Sequence, residues 1–316
     1  MNIMLLGAGG FIGRVVETKL LNRGHKVVTV SRSPRCDQTA AANHIQASRA
    51  DPARIADIYA RSTCDILIDM VAHEGEETRR LMAHLDGLVS RYVVTSSGDV
   101  YRNFGMVHGL EQGPLDLDLL DETGPLRTSR HPYRLAEPRA DTDPHKWMDT
   151  GDKVLMEEAV RESRSEWTIC RLPMVYGPHD PQMRFMWAYA PMMAGAERLD
   201  LPGSWLDWTV THGHVETVAA AIVHAALHPG ASRRTFNITE DETPVPHSVW
   251  VERLASVIGW TGEVVRTDDP EHPVAQATAA LDLSAPLLMS GERLRKETGF
   301  EPALTVDQAL RTLIAA

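Results

Sequence analysis

Cysteine is scarce in this chain, with Cys36, Cys64 and Cys170 the only three among 316 residues, widely separated and without a CxxC pair. Such spacing implies neither a disulfide framework nor a zinc site, and it fits a reducing cytoplasm. Aromatic residues make up only 6% of the chain. No apolar run approaches the ~20 residues that a membrane span requires, so no membrane association is expected. The opening MNIMLLGAGGFIG has no basic leader and is interrupted early by glycine, unlike a secretory signal. Basic residues are also in deficit, 32 against 43 acidic. The resulting net charge of −11 repels a polyanion, and nucleic acid is not expected as a partner. What is present is ordinary for a folded protein: 43% hydrophobic and 24% charged residues, in a chain long enough to bury a substantial core.

The stretch NIMLLGAGGFIGRVVETKLLNRGHKVVTVSR begins with a short apolar run and breaks at glycines. It continues with Phe11, Ile12, Val15, Val16, Leu20 and Leu21 at helical spacing, and Gly24 can close that helix before the β-branched strand KVVTV. Strand, tight turn and helix place the turn at the carboxyl edge of a parallel sheet, where open α/β folds bind ligands. Gly7, Gly10 and Gly13 follow the spacing GxxGxxG. Residues without Cβ let the backbone turn sharply, approach a pyrophosphate and pack the helix on the strand, with free N–H groups facing the anion. At the end of the second strand, where an acidic residue accepts from the 2′-OH of NAD, stand Ser31, Arg32, Ser33, Pro34 and Arg35. A guanidinium pairs bidentately with a 2′-phosphate, so NADP is expected over NAD. The alternative is a solvated arginine in a surface loop.

Further strand and helix pairs follow: NHIQA with DPARIADIYARS, CDILIDMVA with GEETRRLMAHLDGLV, then RYVVTSS, and WTICRLPMVYGP after a helix containing Lys153. The alternation predicts an α/β fold built on a doubly wound parallel sheet. The glycines from Gly7 to Gly13, RYVVTSSGDVY (91–101), KVLMEEA, CRLPMVYGPHD (170–180) and HGHVETVAAAI (212–222) together resemble the extended short-chain dehydrogenase/reductases, the NAD-dependent epimerase/dehydratase family. The resemblance implies a Rossmann domain of residues 1–178, to which 212–238 return, and a smaller C-terminal substrate-binding region of 179–211 and 239–316. It also implies a dinucleotide site formed by Gly7, Gly10, Phe11, Ile12, Gly13, Ser31, Arg32, Val71, Ala72, Lys153 and Pro173. A homodimer is implied as well, pairing the helix of 150–164 with that near 75–88.

In that family a tyrosine and a lysine one helical turn apart share a face. The ammonium holds the nicotinamide ribose and lowers the phenol pKa, while a serine or threonine hydroxyl orients the substrate oxygen. In WMDTGDKVLMEE (147–158), read as a helix, Lys153 matches the lysine, and Ser97 matches the hydroxyl. Asp149 stands where the tyrosine is expected. An aspartate is shorter and, beside an ammonium, ionised. Its commoner role four residues before a lysine is a surface ion pair. Several groups can replace the phenol. Tyr133 lies in RHPYRL, and Asp99 takes the third place of Ser97, Gly98 and Asp99, where family dehydratases carry an acidic base, although Gly98 removes their acid. Histidine is the residue type suited to proton transfer near neutral pH, and His131 and His145 are further candidates. A chain with no proton carrier would be a sensor or scaffold.

Met183, Phe185, Met186, Trp187 and Met192 either line an apolar substrate pocket or form core or dimer surface, and Trp205 and Trp208 carry the same ambiguity. His212 and His214 lack a third ligand, and no metal is expected. Arg127, Arg130 and Arg134 either recognise an anionic group or are solvated. The stretch 101–148 is too long for an idle connection and is expected to cover the active site. The expected function is that of a cytoplasmic NADP-dependent oxidoreductase or epimerase-like enzyme acting on a small hydroxyl or carbonyl compound, with a sugar nucleotide or secondary metabolite among the options. The alternatives are a non-catalytic NADP-binding sensor or scaffold and a cofactor-assisted dehydratase.

Overall fold

The computed structural model describes residues 1–34, 43–240 and 243–314, so Arg35 and Cys36 lie outside the described residues. The amino-terminal half runs β1 (Asn2–Leu6), α1 (Phe11–Asn22), β2 (Lys26–Ser31), β3 (His44–Gln46), α2 (Pro52–Arg61), β4 (Ile66–Asp69), α3 (Gly75–Leu85) and β5 (Arg91–Ser97). It continues with α4 (Arg102–Val107), α5 (Lys153–Arg161), β6 (Trp167–Leu172), β7 (Met174–Tyr176), α6 (Met186–Met193), β8 (Arg198–Pro202) and α7 (Gly203–Asp207). The remainder comprises β9 (His212–His214), α8 (Val215–Leu227), β10 (Arg234–Asn237), α9 (His247–Ile258), β11 (Glu263–Thr267), α10 (Pro273–Thr278), α11 (Glu292–Thr298) and α12 (Val306–Ile314).

Seven parallel strands form the central sheet in the order β10-β6-β5-β4-β1-β2-β3, the doubly wound α/β arrangement that the sequence pattern predicts. Successive residues of β1 point to opposite faces, and both faces are covered. Ile3 and Leu5 join the helices α1 and α8 on one side, while Met4 and Leu6 meet α2, α3 and α5 on the other. Burying both faces is why these strands read as unbroken apolar runs.

A second core collects Tyr176, Phe185, Met192, Leu199, Trp205 and Trp250 from β7, β8, α6, α7, α9 and the loop before α6. The methionine and aromatic stripe of 183–192 packs largely on a core: Phe185 and Met192 are buried there, Trp187 leans on it, and Met183 and Met186 face solvent. Trp208 is buried in a neighbouring cluster with Val210 and Met106.

The helix predicted over 147–158 begins only at Lys153. Gly151 precedes the break, and the carboxylate of Asp152 accepts from the N–H groups of Val154 and Leu155, an N-cap of the kind that contributes ~0.5–2 kcal/mol. Upstream, residues Lys146–Asp149 form a separate 3₁₀ turn. Asp149 thus lies off the helix and forms no pair with Lys153. It accepts instead from the backbone N–H of Arg139 at 2.8 Å and from that residue's guanidinium, with the Lys146 ammonium 3.6 Å away. The long stretch after β5 is not wholly irregular, because α4 forms there, fastened by the Asn103 amide donating to the carbonyls of Asp116 and Pro286. Among the described residues no helix is long and apolar enough to cross a membrane.

Candidate functional site

The turn between β1 and α1 is built by glycine for stated reasons. Gly7 has φ +87°, a region that disfavours side chains. A Cβ on Gly13 would stand 2.2 Å from the carbonyl oxygen of Gly7, so only glycine lets the helix pass so close to the strand. Gly10 precedes α1 in extended conformation with no side-chain cap, leaving the first N–H groups of the helix without intrahelical partners. Those N–H groups and the positive end of the helix dipole suit a diphosphate. The half-buried side chains of Phe11 and Ile12 pack against the core, and neither lines the cleft beside this turn.

An open cleft of about 800 Å³ extends from the turn, lined by Gly7, Gly10, Ser31, Arg32, Val71 and His73 among others. Arg32 is exposed at its edge, and Gln46 donates to the Arg32 carbonyl at 2.7 Å. Trp147 also lines the cleft and stacks on His73 with ring centroids 4.1 Å apart. The glycine cradle, the free helix start and the cleft fit a dinucleotide.

Beyond the end of β5 lies a second cavity of about 300 Å³, which Ser97, Asp99, Tyr133 and Pro173 line. Ser97 donates to one carboxylate oxygen of Asp99 at 2.6 Å, and the hydroxyl of Tyr133 donates to the other. Lys153 lines neither the cleft nor the cavity, and its ammonium donates to the carbonyls of Ala72 at 2.7 Å and Thr95 at 3.1 Å, with the Asp99 carboxylate close enough to act on its charge. An ammonium has three N–H bonds, so one remains for a ligand hydroxyl. Ala72 is itself fully buried, and its contribution to the site is that carbonyl.

The titration of these groups follows from their surroundings. Burial pulls the Lys153 ammonium down to about 8, although the nearby Asp99 carboxylate opposes the shift. Tyr133 moves the opposite way: burial, then the adjacent Asp99, push its phenol well above its usual value. A phenolate is therefore inaccessible near neutral pH. The hydroxyl can still pass a proton, receiving one as it gives its own to Asp99.

The other expected candidates lie elsewhere. Arg127 and Asp152 form a fully buried pair at 2.8 Å, and Arg127 also donates to the Asp99 carbonyl, so this arginine braces the site. Arg130 approaches Glu158 at 3.4 Å on the surface, and Arg134 donates to the carbonyl of Asp149. His131 faces the Thr150 carbonyl and His145 is exposed beside Asp143. None of these five lines the cleft or the cavity. His212 is enclosed by Phe185, His247 and Trp250, and no cluster of three metal-ligating side chains occurs among the described residues. Sequence reasoning missed Phe104, His108, Met174, Arg184 and Met289, which complete the cavity wall. Phe104 and His108 belong to the neighbourhood of a six-residue helix, too short for a periodic signal.

A doubly wound parallel sheet with a glycine turn and an ammonium at its carboxyl edge defines a dinucleotide-binding protein of the Rossmann class. More narrowly, the model of the NAD dependent epimerase/dehydratase family matches residues 3–239, and the chain belongs to that family of nicotinamide-dependent enzymes. The chain resembles UDP-glucose 4-epimerase from Thermotoga maritima, solved with UDP-glucose, at 17% identity and TM-score 0.68, with 100% of this chain and 98% of that one covered. A dTDP-glucose 4,6-dehydratase from Bacillus anthracis str. Ames, in complex with NAD, matches at 17% identity and TM-score 0.69, covering 99% and 96%. A short-chain dehydrogenase/reductase superfamily protein from Agrobacterium tumefaciens with bound NAD matches at 20% identity and TM-score 0.65, covering 98% and 95%. No curated protein matches the chain.

Proposed function

We propose that this protein is an NADP-dependent oxidoreductase or epimerase-like enzyme acting on a small hydroxyl or carbonyl compound. The carrying observation is the Ser97, Asp99 and Tyr133 cluster on the wall of a cavity next to the Lys153 ammonium. The bound nicotinamide supplies hydride transfer. The turn from Gly7 to Gly13 binds the diphosphate, Arg32 pairs with a 2′-phosphate, and the free N–H of Lys153 holds the nicotinamide ribose. Ser97 orients the reacting oxygen. During alcohol oxidation the substrate hydroxyl proton passes to the Tyr133 oxygen while the phenol's own proton moves to Asp99, and reduction reverses both transfers. Tyr133 stays neutral throughout, which agrees with its raised pKa.

A sensor would not need two proton donors and a carboxylate acceptor gathered around one cavity. Dehydration has Asp99 on the cavity wall in its favour, yet both carboxylate oxygens are engaged and Gly98 offers no acid. The reading also assigns the cofactor to residues 1–178 with 212–238, while the smaller region adds Gln182, Arg184, Thr211, Leu287, Leu288 and Met289 to a substrate cavity whose remaining wall comes from residues 97–174. It takes the protein as a cytoplasmic homodimer joined through α3 and α5, which lie side by side with Gly75 against Leu155. Light scattering that shows a monomer at micromolar concentration would refute the dimer. The central test is titration with NADPH and NADH, mass spectrometry of any copurified nucleotide, and a panel of alcohols and carbonyls. Absence of turnover, together with unchanged NADPH affinity in Lys153→Ala, would overturn the reading.

A further inference from the structure

The cavity beside Asp99 restricts what can enter it. We infer that its substrate is a small uncharged molecule with an apolar body and one reacting hydroxyl or carbonyl, and not a nucleoside diphosphate sugar. This rests on the oxidoreductase reading and narrows it.

Size is the first argument. At about 300 Å³ the cavity stands at the lower end of ligand pockets, which span ~300–1,000 Å³. Much of the wall is apolar, with Phe104, Leu172, Met174, Leu287 and Met289. Two of these are methionines, which adapt to irregular apolar shapes.

Charge is the second. A diphosphate or carboxylate entering an enclosed site is ordinarily met by arginine, lysine or free backbone N–H groups. Among the described residues lining this cavity, Arg184 is the only permanent cation. Its guanidinium is already engaged by Asp180 at 3.0 and 3.1 Å, by the Val175 carbonyl at 2.8 Å and by Gln182 at 2.6 Å. His108 is the other basic group, and burial keeps its imidazole neutral at pH 7 in spite of Asp99. The carboxylate of Asp99 then repels an incoming anion. Of the cations in 101–148, Arg127, Arg130 and Arg134 face Asp152, Glu158 and the Asp149 carbonyl, and Arg102, Arg139 and Lys146 pair with Asp116 and Asp149.

The test is calorimetric titration of the full chain saturated with NADP⁺, using cyclohexanone and acetophenone as neutral probes, pyruvate as an anion and UDP-glucose as a nucleotide sugar. The neutral ketones are expected to bind at least ~tenfold more tightly than either charged probe. Met174→Trp, which fills the cavity, should weaken ketone binding by at least ~tenfold and leave NADPH affinity unchanged. Met289→Phe provides the same test if the first variant fails to fold. Binding of UDP-glucose or pyruvate as tight as that of the ketones would overturn the inference. So would NADPH-competent protein that takes neither ketone at millimolar concentration. Failure to bind either coenzyme would strike the reading beneath it, and the inference would fall with it.

Discussion

The phenol of Tyr133 donates to the carboxylate of Asp99 across 34 residues of chain. The two residues reach each other from different places, Asp99 just beyond the end of β5 and Tyr133 from the loop before α5. Their contact gathers a proton donor and a proton acceptor on one cavity wall.

If the pair works as a relay, its members should fail as a unit. Tyr133→Phe and Asp99→Asn should each lower kcat by ~10²–10⁴, the usual range for general acid–base catalysis, with NADPH affinity retained. The double variant should be no worse than either single one. Steady-state rates on a turned-over carbonyl decide this, and additive losses would count against the relay.

Lys153 gives a pH signature. Its ammonium, pulled to about 8, is charged below that pH and neutral above it, so NADPH binding should weaken as pH rises through about 8. Stability should move the other way. Between about 8 and the unfolded value near 10.4, the unfolded chain holds the proton that the folded chain has lost, and folding is favoured as pH rises. Denaturant titrations of wild type and Lys153→Met across this window should show the gain only in wild type.

Coenzyme choice tests Arg32. Hydrogen bonds to a charged group contribute ~1.5–3 kcal/mol, so Arg32→Ala should lose roughly ten- to 150-fold in NADPH affinity while NADH affinity holds. Equal losses for both coenzymes would exclude contact with a 2′-phosphate.

The glycine turn can be probed by one methyl group at a time. Gly13→Ala puts a Cβ 2.2 Å from the Gly7 carbonyl and should cost about 1–3 kcal/mol, together with most of the dinucleotide affinity. Gly9→Ala meets nothing within 4 Å and should melt like wild type. Thermal unfolding of the two variants makes the comparison.

Asp152→Ala leaves the Arg127 guanidinium buried without its partner and removes the cap of α5. A loss of about 3–5 kcal/mol is expected on denaturant unfolding.

The dinucleotide half was legible because its signals are local. Glycines at positions 7, 10 and 13 and β-branched strands flanking amphipathic helices follow from sterics within a few residues of chain. That Lys153 rides on a helix was legible too, but its place at the head of that helix and the surroundings of Asp149 were not, because a short capping carboxylate at Asp152 starts the helix after a separate turn. Hydrophobic spacing in 183–192 left pocket, core and dimer surface open, and Phe185, Trp187 and Met192 went to a core while Met183 and Met186 face solvent. The meeting of Tyr133 with Asp99 and the immobilisation of Arg127 by Asp152 are long-range outcomes of a loop with no period of its own.

A phenol carried on the same helix as its lysine has its reach set by helical pitch. Here Asp152 simultaneously grips Arg127, accepts from the His131 N–H and starts the helix that bears Lys153. Substitutions or length changes between the tyrosine and that anchor can therefore retune where the hydroxyl points while the ammonium stays fixed. The segment 134–148 is where such a change would reach the Tyr133 hydroxyl without moving the helix that bears Lys153.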